Sequence, residues 1–315
     1  MDILRQIQSV VESDKYLKKN LKEHTVVRFD SEGNIISSDL IGEYDSVKYV
    51  KPPKENEKEF RIYKKNQEKL GKLTEELGGF YMLYYNESLF DNKVDVKHIC
   101  RIIFLATFLE YDTNRLVKRD GRSNEPLKEK DIKKELSLDK KTYKSFKDEM
   151  LSNGIMTIGE SGIYLSTNYF KKGNAIQDGR NFSRVYVNTV RELYYQISGR
   201  QHKTLSHLFR LLPYCDYEYN TISMKPNTEE ALDTTLTKED IAELLNLDLE
   251  TYKKLERSLM GLKITLQGDN YYVMGSVTFG RGRDKKHFYV INPLIYNSGS
   301  SFESLHSIWT KLLKV

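Results

Sequence analysis

The run Leu127-Lys-Glu-Lys-Asp131-Ile132-Lys-Lys-Glu-Leu136-Ser-Leu138-Asp139-Lys-Lys-Thr142-Tyr143-Lys144 aligns without a gap on Leu236-Thr-Lys-Glu-Asp240-Ile241-Ala-Glu-Leu-Leu245-Asn-Leu247-Asp248-Leu-Glu-Thr251-Tyr252-Lys253, at a constant offset of 109 (236 − 127). The shared positions are those that a helix, a tight turn and a second helix require. Ile132 and Leu136, four apart, give a short helix an apolar face, and Leu138 fills the turn. Asp139 is placed to accept hydrogen bonds from the first free N–H groups of the next helix. That second helix directs Tyr143, Phe146 and Met150 inward, matched by Tyr252, Leu255 and Leu259. The offset is too long for a solenoid repeat and suits two small domains.

Outward from this pair, the duplication continues. Phe80-Tyr-Met-Leu-Tyr-Tyr85 predicts an aromatic strand, followed by a buried helix from about Val96 to Tyr111. Its counterpart is the strand Ser183–Val187, with helices over Thr189–Ile197 and Lys203–Tyr214, and Phe108-Leu-Glu-Tyr111 aligns on Leu211-Leu-Pro-Tyr214. After each second helix comes a strand, a turn and a strand. The first copy has Ile155–Ile158, the turn Gly159–Gly162 and Ile163–Ser166. The second has Ile264–Leu266, the turn Gly268–Asn270 and Tyr271–Met274, then a longer arm with Val277–Phe279, Gly280-Arg-Gly-Arg-Asp-Lys-Lys286 at its tip and His287–Ile291. This order predicts an α+β chain of two tandem winged-helix (helix-turn-helix) domains, residues 80–180 and 181–315, behind an N-terminal α/β accessory region, residues 1–79. In that region Ile3, Ile7, Val10, Leu17 and Leu21 have helical spacing, 24–38 reads as a hairpin turning at Ser31–Asn34, and 51–79 reads as a Lys- and Glu-dense exposed helix with linkers.

Composition agrees with this reading without producing it. A chain of 315 residues with 39% apolar content buries two or three modest cores, and its net charge of +5 is too small a surplus to identify a partner. The two cysteines, Cys100 and Cys215, lie in apolar runs, which fits a reducing compartment. No secretory h-region is present, and the longest apolar run, Ile102–Leu109, falls short of a bilayer span, so a cytoplasmic protein without a membrane partner is expected.

The second helix of the first copy places Lys140, Lys141, Thr142, Lys144, Ser145 and Lys147 away from its apolar face. A lone helix with these lysines reads as a solvated surface. On a duplicated helix-turn-helix, the same charges suit phosphate and base-edge contact in the major groove of double-stranded DNA. The equivalent face of the second copy, Leu249, Glu250, Thr251, Lys253, Lys254, Glu256 and Arg257, is close to neutral. Its candidate contacts are Thr251, Lys253, Lys254 and Arg257, supplemented by Arg281, Arg283, Lys285 and Lys286 between glycines that let the arm approach a phosphate. An exposed Leu249 would make this second helix the candidate surface for a homodimer.

Catalysis is not expected. The chain has no G-x-x-x-x-G-K-[ST] run, its six histidines are scattered, and no cysteine pair stands at zinc spacing, so no metal, cofactor or catalytic residue is assigned. The 22 tyrosines sit mostly in apolar strands and helices, as core residues do.

Leu211-Leu-Pro-Tyr-Cys-Asp-Tyr-Glu-Tyr-Asn220, Lys225-Pro-Asn227, the helix-turn-helix from Leu236, and Phe288-Tyr-Val-Ile-Asn292-Pro293-Leu-Ile-Tyr296 with Gly299 together resemble winged-helix proteins of Gram-positive phages and plasmids. RepL-type plasmid replication initiators end their wing with a similar strand and Asn-Pro step. The likeness spans roughly residues 80–310 and is stronger in the second copy; the first has Thr167-Asn168 in place of Asn-Pro. The resemblance implies a mobile-element DNA-binding protein acting in replication or its control, without deciding between the two; the leading expectation is an origin-binding replication initiator that recruits host replication proteins. The alternatives are a transcriptional repressor of phage genes and, from another class, a non-catalytic protein-interaction adaptor.

Overall fold

The computed structural model describes residues 25–29, 35–40, 75–120, 123–176, 178–199, 201–217, 219–266, 268–279, 286–297 and 313–315. The chain divides into two units, 1–69 and 70–315. In the first, β1 (Thr25–Phe29) and β2 (Ile35–Leu40) form the expected antiparallel hairpin, with a register shift between Arg28 and Phe29. The helices expected over 1–24 and between 51 and 74 lie outside the described residues.

The second unit is α+β, with seven α-helices and small antiparallel sheets among the described residues. Its first strand, β3 (Phe80–Tyr85), carries no charge and is buried on both faces after Phe80, as a central strand must be. The first copy continues with α1 (Val96–Leu105), a 3-10 turn over Ala106–Phe108, and an unforeseen hairpin of β4 (Val117–Asp120) and β5 (Ser123–Pro126). Then come α2 (Glu129–Glu135), α3 (Lys140–Ser152), the hairpin of β6 (Met156–Gly159) and β7 (Gly162–Leu165), and β8 (Phe170–Lys171). The second copy runs β9 (Asn181–Tyr186), α4 (Val187–Gln196), α5 (His202–Arg210), a 3-10 turn over Leu212–Tyr214, α6 (Lys238–Leu244) and α7 (Leu249–Gly261). It closes with β10 (Lys263–Leu266), β11 (Asp269–Tyr272), β12 (Met274–Phe279), β13 (Lys286–Ile291) and β14 (Tyr296–Asn297).

The helix pairs α2–α3 and α6–α7 begin and end at positions 109 apart (249 − 140). Their caps explain why. Asp139 Oδ1 accepts from the N–H groups of Lys141 (2.8 Å) and Thr142 (2.9 Å), and Asp248 Oδ1 accepts from Thr251 N–H at 2.9 Å. Each leading helix ends on a left-handed residue, Ser137 (φ 51°) or Asn246 (φ 55°). The next N–H then reaches back five residues, Leu138 to Lys133 O (3.2 Å) and Leu247 to Ala242 O (2.9 Å), closing the helix end.

Upstream, the equivalence is shifted by three from the sequence alignment of Phe108–Tyr111 on Leu211–Tyr214. The structure matches Ala106–Phe108 with Leu212–Tyr214, an offset of 106 (212 − 106). A slip of about one helical turn preserves an apolar face, so periodicity alone cannot fix this register. Asn114 (φ 58°) and Asn220 (φ 52°) fix it: both are left-handed, and each donates its side-chain amide to the strand that follows its copy's hairpin turn, at Leu165 O or Ile291 O.

In the second copy the strand, turn and strand expected around Gly268–Asn270 form a hairpin of their own, β10–β11, separate from the long arm. Leu116 N–H donates to Ile163 O in β7, and its equivalent Ile222 donates to Tyr289 O in β13. The partner of β6–β7 is therefore β12–β13, and β10–β11 is an insertion between α7 and that hairpin. Val273 separates the two by donating to Leu262 O and accepting from Asn292 N–H. The inserted hairpin is held from both sides: Thr265 N–H donates to Glu192 of α4 at 2.8 Å, and Tyr272 N–H to Leu313 O at 2.8 Å.

One apolar core runs through both copies, from Leu77 to Tyr296. A four-stranded sheet of order β14-β9-β3-β8 joins them, with β3 antiparallel to β9 from Phe80↔Tyr186 to Tyr85↔Asn181. Tyr143 and Tyr252 both enter this core, leaving 8% and 0% of their surfaces exposed. Burial of a large side chain of this kind stabilises by about 1.5–3 kcal/mol, which anchors each second helix to the body. No helix among the described residues is long and apolar enough to cross a membrane.

Candidate nucleic-acid interface

With Tyr143, Phe146 and Met150 buried, α3 turns Lys140, Lys141, Lys144 and Ser145 to solvent. None of these three lysines has a carboxylate partner among the described residues. Thr142 is half-buried, and its hydroxyl donates to Asp139 Oδ2 at 2.6 Å, so it serves the cap. That bond and the backbone N–H groups hold the Asp139 carboxyl below its ordinary pKa. Lys147 turns away from the exposed row: it is half-buried, with Nζ 2.9 Å from Glu129 Oε2 of α2.

The second copy differs in detail. Thr251, Lys254 and Arg257 are exposed, and the Thr251 hydroxyl is engaged by Asp248 at 2.7 Å. Lys253 pairs with Glu250 at 2.7 Å. Two sequence expectations are corrected here. Leu249 is half-buried and packs against the core, because the first turn of α7 lies close to the body, so it offers no exposed apolar contact for a homodimer. Glu256 is buried, because Lys238 and the Tyr289 hydroxyl satisfy its carboxylate.

The hairpins carry the opposite asymmetry. The β6–β7 turn, Gly159-Glu-Ser-Gly162, has no basic residue, and Ser161 Oγ lies 2.8 Å from the Tyr164 hydroxyl. The basic stretch of the second copy follows Phe279, whose strand partner is Lys286. Arg281, Arg283 and Lys285 lie outside the described residues, as does the side chain of Lys286.

No metal-binding group of three or more His, Cys, Asp or Glu residues occurs among the described residues. His98, His202 and His207 are buried singly, each pushed down to about 4 by burial and then by neighbouring cations. Arg101 donates to His98 Nδ1 at 2.7 Å, which places the imidazole proton on Nε2, 3.5 Å from Glu149. Burial pushes both thiols, Cys100 and Cys215, up to about 12, so neither is a nucleophile. A cavity of about 260 Å³ opens beside Phe108, Val117, Glu135 and Tyr195, and four of its polar lining residues pair with one another: Arg191 with Thr107, and Tyr195 with Glu135.

The feature missed in the sequence is the ion pair that locks each helix pair, Glu129–Lys147 in one copy and Lys238–Glu256 in the other. Its signal was present: the residues correspond at the offset of 109 (256 − 147) with their charges exchanged. No protein family, characterised protein or solved structure matches the chain.

Proposed function

We propose that residues 80–315 are two winged-helix modules that bind double-stranded DNA without a cofactor or chemistry of their own. The observation that carries this reading is the row of lysines Lys140, Lys141 and Lys144, without carboxylate partners among the described residues, on the outer face of the second helix of a capped helix pair. Cations left without carboxylate partners along one helix face suit a polyanion, and the helix diameter suits the major groove. In the second copy Lys254 and Arg257 are exposed, and the sequence adds the basic stretch 281–286.

The function we assign is origin binding for phage or plasmid replication in the cytoplasm, with host replication proteins recruited to the marked site. A repressor would use the same surface, and the position of the bound sites separates the two: repeats within or beside the replication gene indicate an initiator, sites over promoters a repressor. The test is a gel shift against fragments of the element that carries the gene, with Lys140, Lys141 and Lys144 replaced together by Ala. Binding is expected to weaken at least tenfold with the melting temperature nearly unchanged, since exposed substitutions cost little. A folded triple mutant that binds as wild type removes α3 from the interface. A wild-type chain that shifts no fragment supports the adaptor reading.

A further inference from the structure

We infer that a single chain reads two half-sites in inverted orientation on one duplex, and that the two half-sites differ in sequence. This rests on the DNA-binding reading above and adds the geometry of the target.

The orientation follows from how the copies meet. The equivalent strands β3 and β9 are antiparallel neighbours, and their pairing is reciprocal: the first residue of each faces the last of the other, Phe80↔Tyr186 and Asn181↔Tyr85. The sheet continues symmetrically, with β8 beside β3 and β14 beside β9. At the helix crossing, Cys100 of α1 donates its N–H to Ser206 Oγ of α5 at 2.9 Å, and these two residues are themselves equivalent, 106 apart (206 − 100). Equivalent residues meeting each other, in both sheet and helix layers, is the signature of a half-turn rotation, as at an isologous dimer interface. A translation along the chain would have made the strands parallel. Two DNA readers related by a half-turn match inverted half-sites, whereas readers related by translation match direct repeats. The shared core fixes the relation within one chain, so no second subunit is needed to supply the dyad.

The half-sites differ because the exposed faces do. At the offset of 109 (249 − 140), Lys141 corresponds to Glu250, Ser145 to Lys254 and Asp148 to Arg257, while only Thr142 and Lys144 keep their type in Thr251 and Lys253.

The experiment is selection of bound duplexes from a random library with the full chain, together with the mass of the complex in solution. Unlike half-sites hide their relative orientation, so a graft makes them alike. Glu250→Lys, Lys254→Ser and Arg257→Asp in α7 copy Lys141, Ser145 and Asp148 of α3, and Lys141→Glu, Ser145→Lys and Asp148→Arg in α3 make the reverse graft; Lys140 and its counterpart Leu249, which packs against the core, stay as they are. All six positions are exposed, so folding is retained. The expected result is a two-part site with unlike halves for wild type, a palindrome for both grafts, one chain per duplex, and at least a tenfold loss when either half is scrambled. Direct repeats in the grafted proteins overturn the inverted geometry. A wild-type palindrome holding two chains, or a single half-site, overturns the one-chain reading while leaving DNA binding intact. Absence of any enriched sequence together with no binding to random duplex overturns both.

Discussion

Lys238 of α6 and Glu256 of α7 form, at 3.0 Å, the ion pair that Glu129 of α2 and Lys147 of α3 form at 2.9 Å, with the charges exchanged between the helices. The environment sets which polarity goes where. Glu256 is 7% exposed and accepts a second bond, 2.7 Å from the Tyr289 hydroxyl. The residue equivalent to Tyr289 is Ile163, which has no donor, and the lysine there keeps a quarter of its side chain in solvent. A buried carboxylate needs several donors, whereas lysine can lead its ammonium outward. Glu256→Lys alone should therefore destabilise by about 2–3 kcal/mol, having lost its bonds and gained a like charge. Adding Lys238→Glu and Tyr289→Phe should recover most of that loss. Urea midpoints decide, and a triple variant no more stable than the single one would show that the two pairs are not interchangeable.

Asn114 and Asn220 each combine a left-handed backbone with a side-chain bond to a neighbouring strand. Asn114 donates to Leu165 O at 3.2 Å and to Phe170 O at 2.5 Å, so it ties the hairpin and β8 to the end of α1. Asn114→Ala should incur both the backbone cost, about 1–2 kcal/mol, and the cost of the unpaired carbonyls, about 1–3 kcal/mol. Asn114→Gly should relieve the backbone part and keep the other. Equal losses for the two variants, measured by thermal or urea unfolding, would mean that the positive φ contributes nothing.

The helix pairs α2–α3 and α6–α7 are legible in the sequence because caps, apolar spacing and turn residue all act within a few positions and all recur. Long-range relations are less legible. The uncharged strand Phe80–Tyr85 announces coverage on both faces, but nothing local says that, beside β8 of its own copy, it pairs with Asn181–Tyr186 of the other. The slip of three at Phe108 arises because a turn of helix repeats the apolar pattern. The turn of β10–β11 is legible in Gly268–Asn270, but that this hairpin is an insertion is not: it follows from Ile222 bonding to Tyr289 and from the backbone bonds of Val273. At the candidate site, helical spacing places Lys140, Lys141 and Lys144 outside, as found, yet it also places Glu256 and Leu249 there. Their burial depends on Lys238, Tyr289 and the packing of the first turn of α7, which are tertiary facts.

The buried histidines give the fold an acid limit. His98, His202 and His207 are each held near 4 by burial, reinforced by Arg101 for the first two and by Arg210 for the third. The native state keeps them neutral, while in the unfolded chain each takes a proton near its ordinary value of about 6.5. Their contribution is intact above pH 6.5 and is lost as the pH falls from there through about 4, with a slope approaching three protons bound on unfolding. Urea midpoints measured from pH 7.5 to 4.5 should fall steadily over this window, and His207→Gln should lower the slope by about one proton. A midpoint that stays flat down to pH 5 would contradict the assignment of neutral buried rings.

The basic stretch of the second copy is tested through salt. If Arg281, Arg283, Lys285 and Lys286 lie along phosphates, log affinity falls linearly with log salt concentration, and each contact removed lowers the slope by about 0.9 on B-form DNA. Replacing all four by Ala should weaken binding to every duplex while the preferred sequence stays the same, because phosphate contacts position a protein and carry little base information. Replacement of Lys140, Lys141 and Lys144 should instead blur the sequence preference as well, if α3 is the helix that reads base edges, as proposed. Salt titrations of wild type and both variants, on one selected and one random duplex, separate the two roles. Equal slopes for wild type and the quadruple variant would mean that the arm never touches the backbone, leaving α7 as the only DNA contact of the second copy.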